Sequence, residues 1–262
     1  MIWNNRLRGI MDNKNFNLVI SDNLCAPLQY NPDCILFGSF LWHDIIKKTN
    51  ENENVLNFER DLFRNNRPTI YGMKNFLMPE ITKHGNFIEY PNLINKFDSI
   101  KKKSHSKHKI FITAGKSGDL LQKYTLLAKH LAKCKSFEII YDTAMKNDSI
   151  KRQLFDYTEN SFSDLSIIIA RPGIGIISDA IRFNIPIIVD TFYENKELEF
   201  NASKIDELGI GKRLNFSELN HLSKDIMNLL NDNDCYHLII NNLGKIPGNG
   251  ASLIADSIIK KI

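Results

Sequence analysis

Between residues 109 and 190, short β-branched apolar segments alternate with amphipathic ones, and this alternation leaves the chain few ways to fold. Lys109-Ile110-Phe111-Ile112-Thr113-Ala114 reads as a buried strand. Residues 119–134 follow, with Leu120, Leu121, Tyr124, Leu127, Ala128 and Leu131 spaced along one helix face. Strands are predicted again at 137–141 and 166–170, a helix at 174–183 and a strand at 186–190. Strands apolar along their whole length need cover on both faces, and strand–helix–strand connections are right-handed. The segment therefore predicts a parallel, doubly wound α/β sheet. Further helices are expected at 197–208, at 217–230 with Ser217 as N-cap, and in the tail at 250–262.

The N-terminal half is patterned more weakly. Residues 17–21 and 34–38 read as short buried strands, and Val55, Phe58 and Leu62 mark one face of a helix over 54–64. Between the halves runs Lys101-Lys102-Lys103-Ser104-His105-Ser106-Lys107-His108-Lys109. Like charges resist burial, so this run is expected to be a solvated linker. A chain of 262 residues, at about 150 per domain, then divides into an N-terminal domain (1–100), a linker (101–109) and a C-terminal domain (110–262). Contact of the basic run with anionic lipid headgroups is the alternative, which would place the protein at the inner face of a membrane.

Several classes are excluded early. The net charge of +4 gives no support to a nucleic-acid module. No apolar stretch approaches the roughly 20 residues of a membrane span. The start, Met1-Ile2-Trp3-Asn4-Asn5, lacks the apolar core of a secretory signal. Cys25, Cys34, Cys134 and Cys235 form no C-x-x-C pair, so reduced thiols in a cytoplasmic protein are expected and no zinc site. His105 and His108 are three apart without a further ligand nearby.

In an open parallel sheet, ligands bind beyond the carboxyl ends of the strands. Gly115-Lys116-Ser117-Gly118 lies at one such end; its glycines permit close backbone approach and Lys116 offers charge to a phosphate. Its spacing fits neither G-x-x-x-x-G-K-[ST] nor G-x-G-x-x-G. Arg171-Pro172-Gly173-Ile174-Gly175-Ile176-Ile177-Ser178-Asp179 runs from a strand end straight into a helix. There the first-turn N–H groups and the helix dipole suit an anion such as pyrophosphate, and Asp179 suits a ribose diol. The same pattern also fits glycines that only tighten a turn. A third polar loop, residues 194–202, follows the next strand.

Together these residues resemble a known family. Arg171-Pro172-Gly173-Ile174-Gly175, then Ile177-Ser178-Asp179-Ala180, Ile185-Pro186-Ile187-Ile188, Glu194-Asn195 with Glu197, Asn201-Ala202 and Leu208-Gly209-Ile210-Gly211 look like the C-terminal domain of GT-B glycosyltransferases. The likeness is to the branch of the peptidoglycan N-acetylglucosaminyltransferase and related predicted bacterial and archaeal glycosyltransferases. Ser21-Asp22-Asn23, Phe37-Gly38-Ser39-Phe40-Leu41-Trp42-His43-Asp44 and Gly248-Asn249-Gly250-Ala251 fit the same pattern.

The resemblance implies two Rossmann-like domains. It implies a nucleotide-diphospho-sugar donor, most simply a UDP-sugar, held by the second domain without a metal or resident cofactor. Gly115 to Gly118 and the turn from Arg171 to Ile176, with Ser178 beside it, would line the donor. Asp179 would take the ribose; Glu194, Asn195, Glu197 and Asn201 would face the sugar. Ile176 stands where relatives commonly carry Thr or Ser, which removes one phosphate donor. The N-terminal domain reads as short, without the loop that in such proteins holds acceptor contacts or the base. Asp22 and His43, both at strand ends, are the candidate catalytic residues in its place. The implied activity is transfer of the sugar to an acceptor hydroxyl on a glycan, lipid or small molecule. The alternatives are a donor-binding subunit completed by a partner chain, and a nucleotide-sugar hydrolase.

Overall fold

The computed structural model of the chain describes residues 2–12, 16–83, 86–94, 106–115, 118–142, 145 and 154–260. Its contacts divide the chain into two compact units. One holds Met1–Leu93, Asn195–Glu197 and Asn249–Ile262; the other holds Ile94–Glu194 and Leu198–Gly248.

The first unit contains α1 (Ile2–Asp12), β1 (Ile20–Asp22), β2 (Ile35–Phe37), α2 (Trp42–Ile45), α3 (Glu53–Asn66), β3 (Thr69–Met73) and β4 (Asn86–Tyr90). The strands form one parallel sheet in the order β1-β2-β3-β4. Its core gathers Leu28, Cys34, Leu36, Leu41, Phe63, Ile70 and Ile81. Neither β3 nor β4 was expected from sequence. Gly72 interrupts the first, and the second is an edge strand whose Asn86, Phe87 and Glu89 face solvent. Neither carries the continuous apolar run that marks a central strand.

The second unit contains β5 (His108–Thr113), α4 (Gly118–Leu131), β6 (Phe137–Tyr141), α5 (Glu159–Ser163), β7 (Ile167–Ala170), α6 (Ile174–Arg182), β8 (Ile187–Asp190), α7 (Lys196–Glu207, of which Lys196 and Glu197 count with the first unit), β9 (Gly211–Leu214), α8 (Leu219–Asn231) and α9 (Asn233–Lys245). The strands run parallel in the order β6-β5-β7-β8-β9. Ile110 to Ile112, Ile167 to Ile169 and Ile187 to Val189 are fully buried, as a doubly covered sheet requires. Both units are thus Rossmann-like parallel sheets.

Three boundaries differ from the sequence reading. His108 and Lys109 are the first residues of β5, so the basic run ends before them; residues 101–105, with His105, lie outside the described residues. Helix α9 was missed, although Asp232 accepts a hydrogen bond from Cys235 N–H (3.0 Å) as its N-cap. The tail helix α10 (Gly250–Ile259) belongs by its contacts to the first unit, not to the second. Gly250 N–H donates to the Asn92 carbonyl (2.9 Å), and the Tyr71 and Ser257 hydroxyls meet at 2.8 Å. A Cβ on Gly250 would lie 2.3 Å from the Pro91 carbonyl oxygen, so only glycine allows this approach. No helix among the described residues is long and apolar enough to cross a membrane.

Candidate functional site

The strand order of the second unit places a crevice. The chain passes from β5 outward to β6, then returns across β5 to β7. Loops leaving the carboxyl ends of β5 and β7 therefore diverge, and such a switch point is where open α/β sheets bind ligands. The two strands are joined to their ends: Thr113 pairs with Ala170, and Arg171 N–H donates to the Thr113 carbonyl (3.1 Å).

Helix α6 begins at this point. Gly173, its N-cap, is extended (φ −79°, ψ 151°) and supplies no side-chain cap. The N–H groups of Ile174, Gly175 and Ile176 are the first-turn donors that an α-helix leaves without an intrahelical partner. Nothing lies within 4 Å of where a Gly175 Cβ would stand. These donors open a helix of nine residues, whose positive dipole end they form.

Arg171 completes the cradle. Its guanidinium Nη1 lies 3.7 Å from the Cβ position of Gly173 and 3.9 Å from that of Gly115, so it sits between the two glycine turns. Gly115 has φ +62°, a left-handed conformation that an L side chain adopts only under strain. Arg171 Nε is buried without an acceptor among the described residues. An unmade hydrogen bond on a buried charged group is costly. A phosphate oxygen matches the guanidinium fork.

A polar network that the sequence analysis did not identify supports the Gly115 turn. Gly115 N–H donates to Thr113 Oγ1 (2.9 Å), and the Thr113 hydroxyl donates to Asp142 Oδ2 (2.6 Å). Tyr157 OH donates to the same oxygen (3.1 Å) from a residue at φ +57°, a strained value for an aromatic side chain. Burial and the Asp142 charge push the Tyr157 phenol up, so it remains a donor. The available signal was positional: Thr113 ends β5 and Asp142 directly follows the neighbouring strand β6.

Asp179 lies in the second turn of α6, half-buried, and burial pushes its carboxyl up to about 6 against the opposing pull of Arg182. Because its folded pKa exceeds the ordinary value, the neutral form suits the folded chain. The associated stability is present below about pH 4 and is lost as pH rises through about 6. Asp179→Asn is therefore expected to stabilise the ligand-free protein at pH 7 by about 1–2 kcal/mol, reduced for partial exposure. The gain should vanish near pH 4. Thermal unfolding across that range checks it, and an unchanged midpoint at pH 7 would count against this environment for Asp179.

The remaining expected residues divide. Gly118 opens α4, while Lys116 and Ser117 lie outside the described residues. Ile174 and Ile176 are half-buried, and Pro172 and Ser178 are buried. Glu194 and Asn195 are exposed and Glu197 is half-buried at the start of α7. Glu199, not identified from sequence, accepts from Tyr193 N–H (3.0 Å) and pairs with Arg213 (2.7 Å), fixing that loop. Asn201 is fully buried, and its amide donates to the Pro172 carbonyl (2.9 Å). The amide thereby holds the carbonyl of the residue that leads into Gly173.

In the first unit, Asp22 is exposed at the carboxyl end of β1. His43 is enclosed: its side chain is 2% exposed, with Nδ1 2.7 Å from Glu59 Oε2 and Nε2 3.6 Å from Asp44 Oδ1. The buried Glu59 carboxylate also accepts from the backbone N–H groups of His43 (2.7 Å) and Trp42 (3.2 Å), capping α2. In this position His43 fastens α2 to α3 and offers no ring nitrogen to solvent.

No protein-family model matches the chain, and no curated protein matches it. Solved structures do resemble it. One is a glycotransferase of kitacinnamycin (TM-score 0.65, 12% identity, covering 99% of this chain and 79% of that one). Another is the spinosyn forosaminyltransferase SpnP (TM-score 0.64, 12% identity, 98% and 79%). A third is the spinosyn rhamnosyltransferase SpnG complexed with thymidine diphosphate (TM-score 0.62, 12% identity, 97% and 76%). The chain has the GT-B glycosyltransferase fold; at these identities the likeness singles out no branch within it, the peptidoglycan type included.

Proposed function

We propose that this protein is a glycosyltransferase that holds a nucleoside-diphospho-sugar at the start of α6 and transfers the sugar to an acceptor hydroxyl. The observation that carries the reading is the uncapped first turn of α6 at the switch point, with the buried Arg171 Nε beside it, which has no acceptor among the described residues. The spinosyn rhamnosyltransferase SpnG is described as complexed with thymidine diphosphate, in keeping with a nucleoside diphosphate as ligand.

The chemistry follows from that cradle. The acceptor oxygen forms a bond to the anomeric carbon as the bond from that carbon to the diphosphate oxygen breaks. The electron pair leaves with the diphosphate, where negative charge grows. First-turn N–H groups and Arg171 already aimed at that position stabilise the charge without rearrangement, so no metal is required. The ribose falls to Asp179, and sugar hydroxyls to Glu194, Asn195 and Glu197. The acceptor proton passes to a carboxylate in hydrogen-bond reach. Asp22 is exposed and fills this role better than the enclosed His43.

Thermal shift with uridine, thymidine, adenosine and guanosine diphosphates tests the reading, because a ligand of the folded state alone raises its apparent stability. At least one pyrimidine diphosphate is expected to raise Tm in a saturable way. No shift with any of the four would end the proposal.

A further inference from the structure

The turn that follows β8 is held from within. Asp190 is 2% exposed, and both of its carboxylate oxygens are occupied. Oδ1 accepts from the N–H groups of Thr191 (2.8 Å) and Phe216 (3.2 Å), and Oδ2 pairs with Lys123. Its own N–H donates to the hydroxyl of Tyr193, three residues on (3.0 Å), so the turn closes on itself. That hydroxyl meets the Tyr124 hydroxyl of α4 at 3.0 Å, and both rings are buried. Burial pushes the Tyr193 phenol up to about 12 and raises the Tyr124 phenol well above its ordinary value, so both keep their hydrogens. On the remaining side, Glu199 accepts from Tyr193 N–H and Arg213 donates to the Thr191 carbonyl.

Buried polar groups are costly to desolvate, and apolar side chains of similar volume often stabilise a core as well. What this network fixes is the path of the turn. The charged groups around it are paired, Lys123 with Asp190 and Arg213 with Glu199. Glu194, the next residue, is exposed and has no hydrogen-bond or ion-pair partner among the described residues. The turn also stands beside the cradle at α6. Strands β7 and β8 are neighbours, about 4.8 Å apart, with Ile169 opposite Ile188; two residues further along each chain come Arg171 and Asp190. The charges of both act on the Tyr124 hydroxyl. We propose that Tyr193, backed by Tyr124, is a positioning residue that presents Glu194 to the sugar of the donor. This rests on the glycosyltransferase reading above. A carboxylate on a turn already fixed loses little freedom on binding a sugar hydroxyl, so more of that hydrogen bond appears as affinity. A loosened turn forfeits this gain, whereas the diphosphate, held by α6 and Arg171, keeps its contacts.

Calorimetric titration compares UDP with UDP-glucose and UDP-N-acetylglucosamine, and thymidine diphosphate with TDP-glucose. At least one of these nucleotide sugars should bind wild type more tightly than its own diphosphate. Tyr193→Phe, which removes one oxygen atom, is expected to reduce that excess about fivefold, within the range for one hydrogen bond, with diphosphate affinity unchanged. Tyr124→Phe spares the bond from Asp190 to Tyr193 and should reduce the excess less; it carries the test if Tyr193→Phe does not fold. Glu194→Ala should lose at least as much as Tyr193→Phe. The two changes together should lose no more than Glu194→Ala alone, because a positioning residue acts only through the group it places. Additive losses in the double variant overturn the proposal, as does an equal loss for diphosphate and nucleotide sugar, the mark of a merely structural role. It also falls if no nucleotide sugar exceeds its diphosphate in wild type, an outcome that leaves the glycosyltransferase reading standing on diphosphate binding. Absence of diphosphate binding in wild type sinks that reading itself.

Discussion

Gly175→Val is expected to weaken nucleoside diphosphate binding about hundredfold or more while leaving the fold intact. An anion at the start of α6 must approach backbone N–H groups to hydrogen-bond distance, and a branched side chain on Gly175 stands over them. Each hydrogen bond to a charged group contributes roughly 1.5–3 kcal/mol, so losing two of them accounts for the factor. The protein itself has room, since nothing lies within 4 Å of the new Cβ. Valine also suits a helix better than glycine, so Tm should hold or rise slightly. Calorimetry beside thermal unfolding separates the two effects. Unchanged affinity would mean that the nucleotide does not sit on α6.

Asn201→Asp is expected to destabilise the protein by about 3–5 kcal/mol at pH 7, the range for a buried charge left without a partner. Asn201 is wholly buried and gives its amide hydrogen to the Pro172 carbonyl. A carboxylate there has no hydrogen to give and faces another acceptor. When protonated it donates again, so the folded state raises the pKa of the introduced group. Stability is then retained below about pH 4 and lost as pH rises through the raised value. The deficit against wild type should therefore widen from pH 4 to pH 7. Urea unfolding at both values reads it, and a deficit independent of pH would mean that the amide hydrogen bond to Pro172 is not what Asn201 contributes. Below the unfolding transition, nucleotide affinity should also fall, because Pro172 leads directly into Gly173.

The central strands of the second sheet were legible because burial on both faces demands uninterrupted β-branched runs, and β5, β7 and β8 have them. Edge and interrupted strands were not: β4 and β9 bear solvent-facing polar residues, and β3 contains Gly72. The strand–helix junction before α6 was likewise legible, since Gly173 and Gly175 follow β7 directly, but those glycines fit a tight turn as well as an anion site.

What the sequence by itself determined is local: which segments must be covered, where a helix begins without a cap, and that a chain of alternating strands and helices makes parallel sheets. Partnership was decided by the tertiary structure. The order β6-β5-β7 brings Gly115 and Gly173 to either side of Arg171, although 57 or so residues separate the turns. Packing turned His43 onto Glu59 and Asn201 onto Pro172, and left Asp22 open. A residue type states what a side chain can donate or accept. Only the packed chain sets which donors are already satisfied, and a group whose bonds are made inside has none left for a ligand.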